Sequence, residues 1–150
     1  MPSTLSSHIY TLVALAAVST ILVATLNSYT TSLRATSEIE QLKNLLNHVA
    51  AKGNELLTIV AATNSSTRVF IQLPTTIGHK QYWLRARNDS SSAWLEGFLG
   101  QMTENGATHR VFLPQRTSAS GYFVGGYGPA ILGSYMNGST PQLNLAFLGG

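Results

Sequence analysis

The side chains able to do chemistry in this chain are few and dispersed. Its four histidines are His8 at the mouth of an apolar run, His48 on an amphipathic stretch, His79 in a turn and His109 at a strand start. No two have metal-ligand spacing, and none stands beside a carboxylate and a nucleophile in a recognisable order. Of six acidic residues only Asp89 is an aspartate, and the glutamates are spread along the chain. Cysteine is absent, which removes disulfides, zinc-cysteine sites and thiol catalysis together, and leaves the redox compartment open. The run Gly121–Gly128 (GYFVGGYG) superficially resembles a phosphate loop. It lacks the Walker lysine and a helix opening after it, so it reads as turns between aromatic strand residues. No catalytic, cofactor-binding or metal site is expected, and no enzyme. The modification chemistry is more legible. Asn-x-Ser/Thr occurs at Asn64, Asn88 and Asn137, each in a loop-like context, which makes these three the candidate glycosylation sites of an exported surface.

Composition narrows the partners. Charged residues are 10% of the 150, against roughly 25% in an average soluble protein. The formal charge of +3 comes from basic residues that stand singly, apart from Arg85 and Arg87 at strand spacing. No nucleic-acid surface is indicated.

What must position these residues is dominated by Ser3–Lys52, which contains neither glycine nor proline, with Pro2 before it and Gly53 after it. That order predicts one long helix. Its halves differ. From Ile9 to Leu26 nearly every residue is apolar or a small hydroxyl, and no Asp, Glu, Lys or Arg precedes Arg34. Beyond Arg34, Ala35, Ile39, Leu42, Leu46 and Val49 form a single stripe among charges. Burying each Val, Leu or Ile is worth roughly 1.5–3 kcal/mol, so the first half must be covered by something. A bilayer would do so, and so would a bundle of identical helices. Ser19, Thr20 and Thr25, with Ala14, Ala16, Ala17 and Ala24, permit close helix–helix approach and favour the bundle. The residues before Ile9 include no Lys or Arg, whereas Arg34, Lys43 and Lys52 follow the apolar run. For an exported head the positive-inside rule is thus reversed. Either the numbering begins after a basic leader, or another feature sets the orientation.

After Gly53 the pattern turns extended. Glu55–Thr63 and Thr67–Leu73 read as two strands joined by Asn64-Ser65-Ser66. Lys80–Arg87 alternates, with Tyr82, Leu84 and Ala86 on one face and Trp83, Arg85 and Arg87 on the other. Ala93–Leu99 fits either a strand or a short helical turn, and His109–Leu113 a strand. Gly121–Val124, Ala130–Met136 and Leu143–Leu148 are short strands between Gly and Pro breaks. The fold class expected is α+β: a long N-terminal hydrophobic α-helix over 1–53, then an antiparallel β-sandwich head over 54–150. No charged residue follows Arg116, so these last strands are either central in the sheet or covered by neighbouring subunits.

Three stretches in order, SSHIYTLVALAAVSTILVATLNSY, SEIEQLKNLLNHVAAKGNELLTIV and TRVFIQLPTTIGHKQYWLRAR, resemble the archaeal type IV pilins, relatives of the archaellins. The likeness covers roughly the first 90 residues and is compositional beyond them. The acidic residue familiar near the start of bacterial pilins has no counterpart, since Leu5 stands there. The resemblance implies a membrane-inserted precursor, trimmed by a prepilin peptidase and passed by an assembly machinery into an extracellular filament used in adhesion or motility. It implies helices packed as the fibre core and β heads on the outside, with the chain itself as partner. The all-round apolarity then assigns Leu5, Ile9, Leu12, Val13, Leu15, Val18, Ile21, Leu22 and Leu26 to subunit contacts. The alternative is a membrane-anchored minor pilin or accessory surface protein with a binding head.

Overall fold

The computed structural model describes residues 2–107 and 109–149, which fall into two compact units, Met1–Ser37 and Glu38–Gly150. Helix α1 runs Pro2–Thr63. It is followed by β1 (Thr67–Ile71), β2 (Tyr82–Asn88), β3 (Ala93–Leu99), β4 (His109–Phe112), β5 (Ser118–Val124), β6 (Ala130–Asn137) and β7 (Thr140–Phe147). The α+β layout expected from the sequence, a long apolar N-terminal helix and then a β head, is the one observed.

The helix end differs from expectation. Glu55–Thr63, expected as a strand, is the last part of α1, which passes through Gly53 without stopping. Gly53 is there for close packing: a Cβ at that position would come within 2.8 Å of Leu143 Cδ2. Leu56, Leu57 and Val60 are buried and prolong the helical stripe of Leu42, Leu46 and Val49. The stop comes at Asn64, whose φ of 54° is left-handed and whose N–H donates to the Val60 carbonyl at 2.8 Å. Asn64-Ser65-Ser66 is therefore a helix C-cap and link instead of a hairpin turn. The division expected at 53/54 coincides neither with this end nor with the boundary between the compact units.

The strands hydrogen-bond in the order β1-β6-β7-β5-β2-β3-β4. All neighbours are antiparallel except β5 and β7, which run parallel. The head is thus a mixed seven-stranded sheet with one continuous order, where an antiparallel sandwich was expected. Strand β5 is the reason. Its first part, Ser118–Gly121, pairs with β7, and its last part, Tyr122–Val124, pairs with β2. The change falls at Gly121, where φ is 97° and a Cβ would lie 2.0 Å from the Leu145 carbonyl oxygen. Only glycine can make that turn so close to a neighbouring strand. The charge-free C-terminal residues supply β5, β6 and β7, all interior to the sheet, and of their large side chains Tyr122, Tyr127, Tyr135 and Leu148 are exposed.

Within the second unit, one face of the sheet packs on α1. Leu42, Leu46, Val49, Leu56 and Leu57 join Leu84, Leu95, Phe123, Leu132, Leu143 and Leu145 in a single buried cluster. Gly97 on β3 makes room for the helix, because a Cβ there would stand 2.7 Å from Leu46 Cδ1 and 3.0 Å from Leu42 Cδ1. Alternation in β2 is as expected, with Tyr82, Leu84 and Ala86 buried. The salt bridge between Lys80 and Glu38, at 2.7 Å, ties the β1–β2 connection to the helix.

Candidate assembly surface

The residues expected to make subunit contacts are all exposed. Leu5, Ile9, Leu12, Val13, Leu15, Val18, Ile21, Leu22 and Leu26 keep between 54% and 69% of their surface open. At roughly 3.6 residues per turn they do not fall on one stripe. Leu5, Ile9 and Leu12 share one side of the helix, and Val18 and Ile21 lie towards the opposite one. Tyr10, Val23, Tyr29 and Leu33 extend the same surface. Within Ser3–Thr63 lies a stretch of mean hydropathy 2.2, none of it buried, which is long and apolar enough to cross a membrane.

The threonine hydroxyls inside this run do not need water. Thr20 Oγ1 donates to the Ala16 carbonyl and Thr25 Oγ1 to that of Ile21, each at 2.8 Å. Thr11 and Thr30 do the same one turn back, to Ser7 and Leu26. Such bonds satisfy the donor within the helix and leave its methyl outward, so the run is more apolar than its composition suggests. Val18, Ile21, Leu22, Thr25 and Leu26 surround a shallow apolar recess. Their spacing of 0, 3, 4, 7 and 8 is that of a hole receiving a side chain from a packed helix.

The candidate glycosylation sites are exposed as well. Asn64 caps α1, Asn88 ends β2, and Asn137 ends β6 at the two-residue turn Gly138-Ser139. Next to Asn88, Asp89 Oδ1 accepts the N–H groups of Ser91 and Ser92 at 2.8 and 2.7 Å. Those bonds hold its carboxyl below the usual carboxylate range and fix the β2–β3 turn. The four histidines stay apart, on α1 (His8, His48), in the β1–β2 connection (His79) and on β4 (His109). Among the described residues no three of His, Asp or Glu come together as a metal site.

One charged constellation was not legible in the sequence. Glu96, in the middle of β3, is fully buried on the face of the sheet away from α1. Its carboxylate is held by Arg85, whose Nε donates to Oε1 at 2.6 Å, and by Trp94 Nε1–H, which donates to Oε2 at 3.1 Å. Arg110 Nε stands 3.3 Å from Oε2, and an Arg87 nitrogen 3.7 Å from Oε1. The Arg85/Arg87 spacing was visible, but the carboxylate between them comes from another strand and depends on register.

Compared with known proteins, the chain matches no family model, no curated protein and no solved structure.

Proposed function

We propose that this chain is a structural subunit of an extracellular type IV pilus-like filament, with the first part of α1 packing against equivalent helices and the β head outermost. The observation that supports this most is the all-round exposure of Leu5–Leu26 beside a second helical stretch that has one buried stripe. A helix made to cover its own head needs only the stripe. In the proposed fibre a neighbour's side chain fills the recess at Val18–Leu26, and Ala16, Ala17 and Ala24 let backbones approach closely. The role is non-catalytic, and the subunit resides in the membrane before assembly. The resemblance to archaeal pilins, and the prepilin peptidase and assembly machinery it implies, belong to this proposal.

The apolar length equally suits a permanent membrane anchor, and one variant compared with sheared wild-type cells separates the two. Val18→Asp places a carboxylate in the middle of the run, where a fibre offers it no partner. The expected cost is several kcal/mol per subunit, repeated along the fibre. With membrane insertion confirmed, cells making Val18→Asp should shed no filaments visible by electron microscopy, while Lys43→Gln should leave them normal. Ordinary fibres assembled from Val18→Asp subunits would overturn the packing of the first part of α1 in the fibre core. Wild-type protein that stays wholly with membranes after shearing would favour an anchored accessory protein.

A further inference from the structure

The outer face of β2–β3–β4 carries more positive charge than its buried carboxylate needs. Register places Arg85 opposite Glu96 and Glu96 opposite Arg110, and in the adjacent row Arg87 opposite Trp94 and Trp94 opposite Phe112. Arg85 is largely buried and, with Trp94, supplies hydrogen bonds to both oxygens of Glu96. One guanidinium already neutralises one carboxylate. Arg87 and Arg110 bring two further charges to the same group, and each keeps about half of its side chain open, 45% and 48%. Among the described residues no second carboxylate pairs with either, and Glu104 meets the cluster only through its backbone carbonyl, which accepts from Arg85. Like charges held this close repel unless an anion joins them.

The surroundings of the two arginines are aromatic. The Arg110 guanidinium lies over the Trp94 ring, 5.6 Å from its centroid. The ring of Phe112 is 6.2 Å from that of Trp94, and Phe112 is exposed. Strand β4 is an edge strand, so this row opens to the side of the sheet. An exposed aromatic ring, Phe112, on the same face as two half-open fork-shaped cations suits a ligand that has both an apolar face and a carboxylate. A uronic-acid residue has both: its C–H face lies on an aromatic ring, and its carboxylate takes paired N–H donors from arginine.

We propose that Arg87, Trp94, Arg110 and Phe112, braced from beneath by Glu96 and Arg85, form a binding site for acidic polysaccharide. The site rests on the head alone and stands whether or not the chain assembles. Its test is titration of the full-length protein in a neutral detergent, followed by calorimetry and by tryptophan fluorescence. The probes are oligogalacturonate, a neutral maltooligosaccharide of equal length, inorganic sulfate, and vesicles containing anionic lipid. Oligogalacturonate should bind saturably and more weakly as salt is raised, and its fluorescence response should be lost in Trp94→Phe. Arg87→Gln and Arg110→Gln should each weaken binding about tenfold or more, with Lys43→Gln unchanged. Should either glutamine variant fail to fold, Arg87→Lys and Arg110→Lys retain the charge but lose the fork, and should still bind more weakly. Equal binding of the neutral sugar, or no saturable binding, would overturn the proposal. So would sulfate binding as tightly as oligogalacturonate, which marks a bare anion site. Preference for the vesicles would assign the face to a membrane surface instead, and folded arginine variants of unchanged affinity would remove these residues from it.

Discussion

Helix α1 has two aliphatic stretches, and they meet opposite fates. Between Ile9 and Leu26 every large apolar side chain is exposed, whereas Leu42, Leu46, Val49, Leu56, Leu57 and Val60 are almost completely buried. Their apolar side chains are of the same kinds, since both are rich in leucine and valine. Pattern separates them. The later stretch interrupts its apolar residues with Lys43, Asn44, Asn47, His48, Lys52 and Glu55, which leaves one stripe that one sheet face can cover. The earlier stretch has no charged side at all, and its threonines turn their hydroxyls back onto the helix. A single sheet cannot cover a helix from all directions. A helix apolar all round needs a surrounding medium, and a helix with a stripe needs a neighbour.

Cutting the same side chain in the two stretches tests this contrast most strongly. Leu46→Ala should destabilise the head by about 2–5 kcal/mol, because the cavity lies in a close-packed cluster. Leu15→Ala should shift the head's thermal or chemical denaturation by no more than about 0.5 kcal/mol, while weakening whatever covers the helix. Equal effects on the head's melting would mean that the first stretch has a partner within the chain.

The next test adds atoms instead of removing them. Gly97→Ala pushes a methyl against Leu46 and Leu42, both fully buried, and overpacking of this kind costs about 1–3 kcal/mol. Pairing it with Leu46→Ala should recover part of the loss, since the smaller neighbour gives the methyl room. Strict additivity in a double-mutant cycle would argue that the two do not touch.

A smaller and pH-dependent effect is expected at Tyr82, on the core face of β2. Its hydroxyl donates to the Pro74 carbonyl at 2.6 Å, and burial pushes its pKa up to about 12 from the usual 10. The folded state therefore favours the protonated phenol. Its contribution is complete below pH 10 and is lost as the pH rises from about 10 to 12. Denaturation measured across that window should show the head weakening more steeply than Tyr82→Phe does. Parallel curves for the two proteins would remove Tyr82 as the cause.

The least perturbing test is on the surface of the head. Asn64, Asn88 and Asn137 are all exposed, and if the protein is displayed outside a glycosylating cell they should carry sugar. Intact mass of native protein, compared with Asn→Gln variants at each position, gives the occupancy directly. A native mass equal to the bare polypeptide would reject glycosylation, though it would leave the fold untouched.

By itself the sequence determined the long helix, its change of character near Arg34, most strands of the head, and the exposed surface at Leu5–Leu26. Each is a matter of local period or of the absence of charge, and both can be read along one dimension. Tertiary structure decided the rest. Glu55–Thr63 is β-branched and aliphatic enough for a strand, yet contact with the sheet extends the helical stripe through it, and Gly53 serves that contact where it had the look of a stop. The parallel β5–β7 pairing and the bend at Gly121 depend on which strands lie side by side, a choice among partners distant in the chain. The same holds for Glu96. Among short strands it was an unremarked acid, and it gained three arginines only because register set β2 and β4 on either side of it. Long-range pairing has no local period, so the charge cluster it assembles is visible only once the sheet is built.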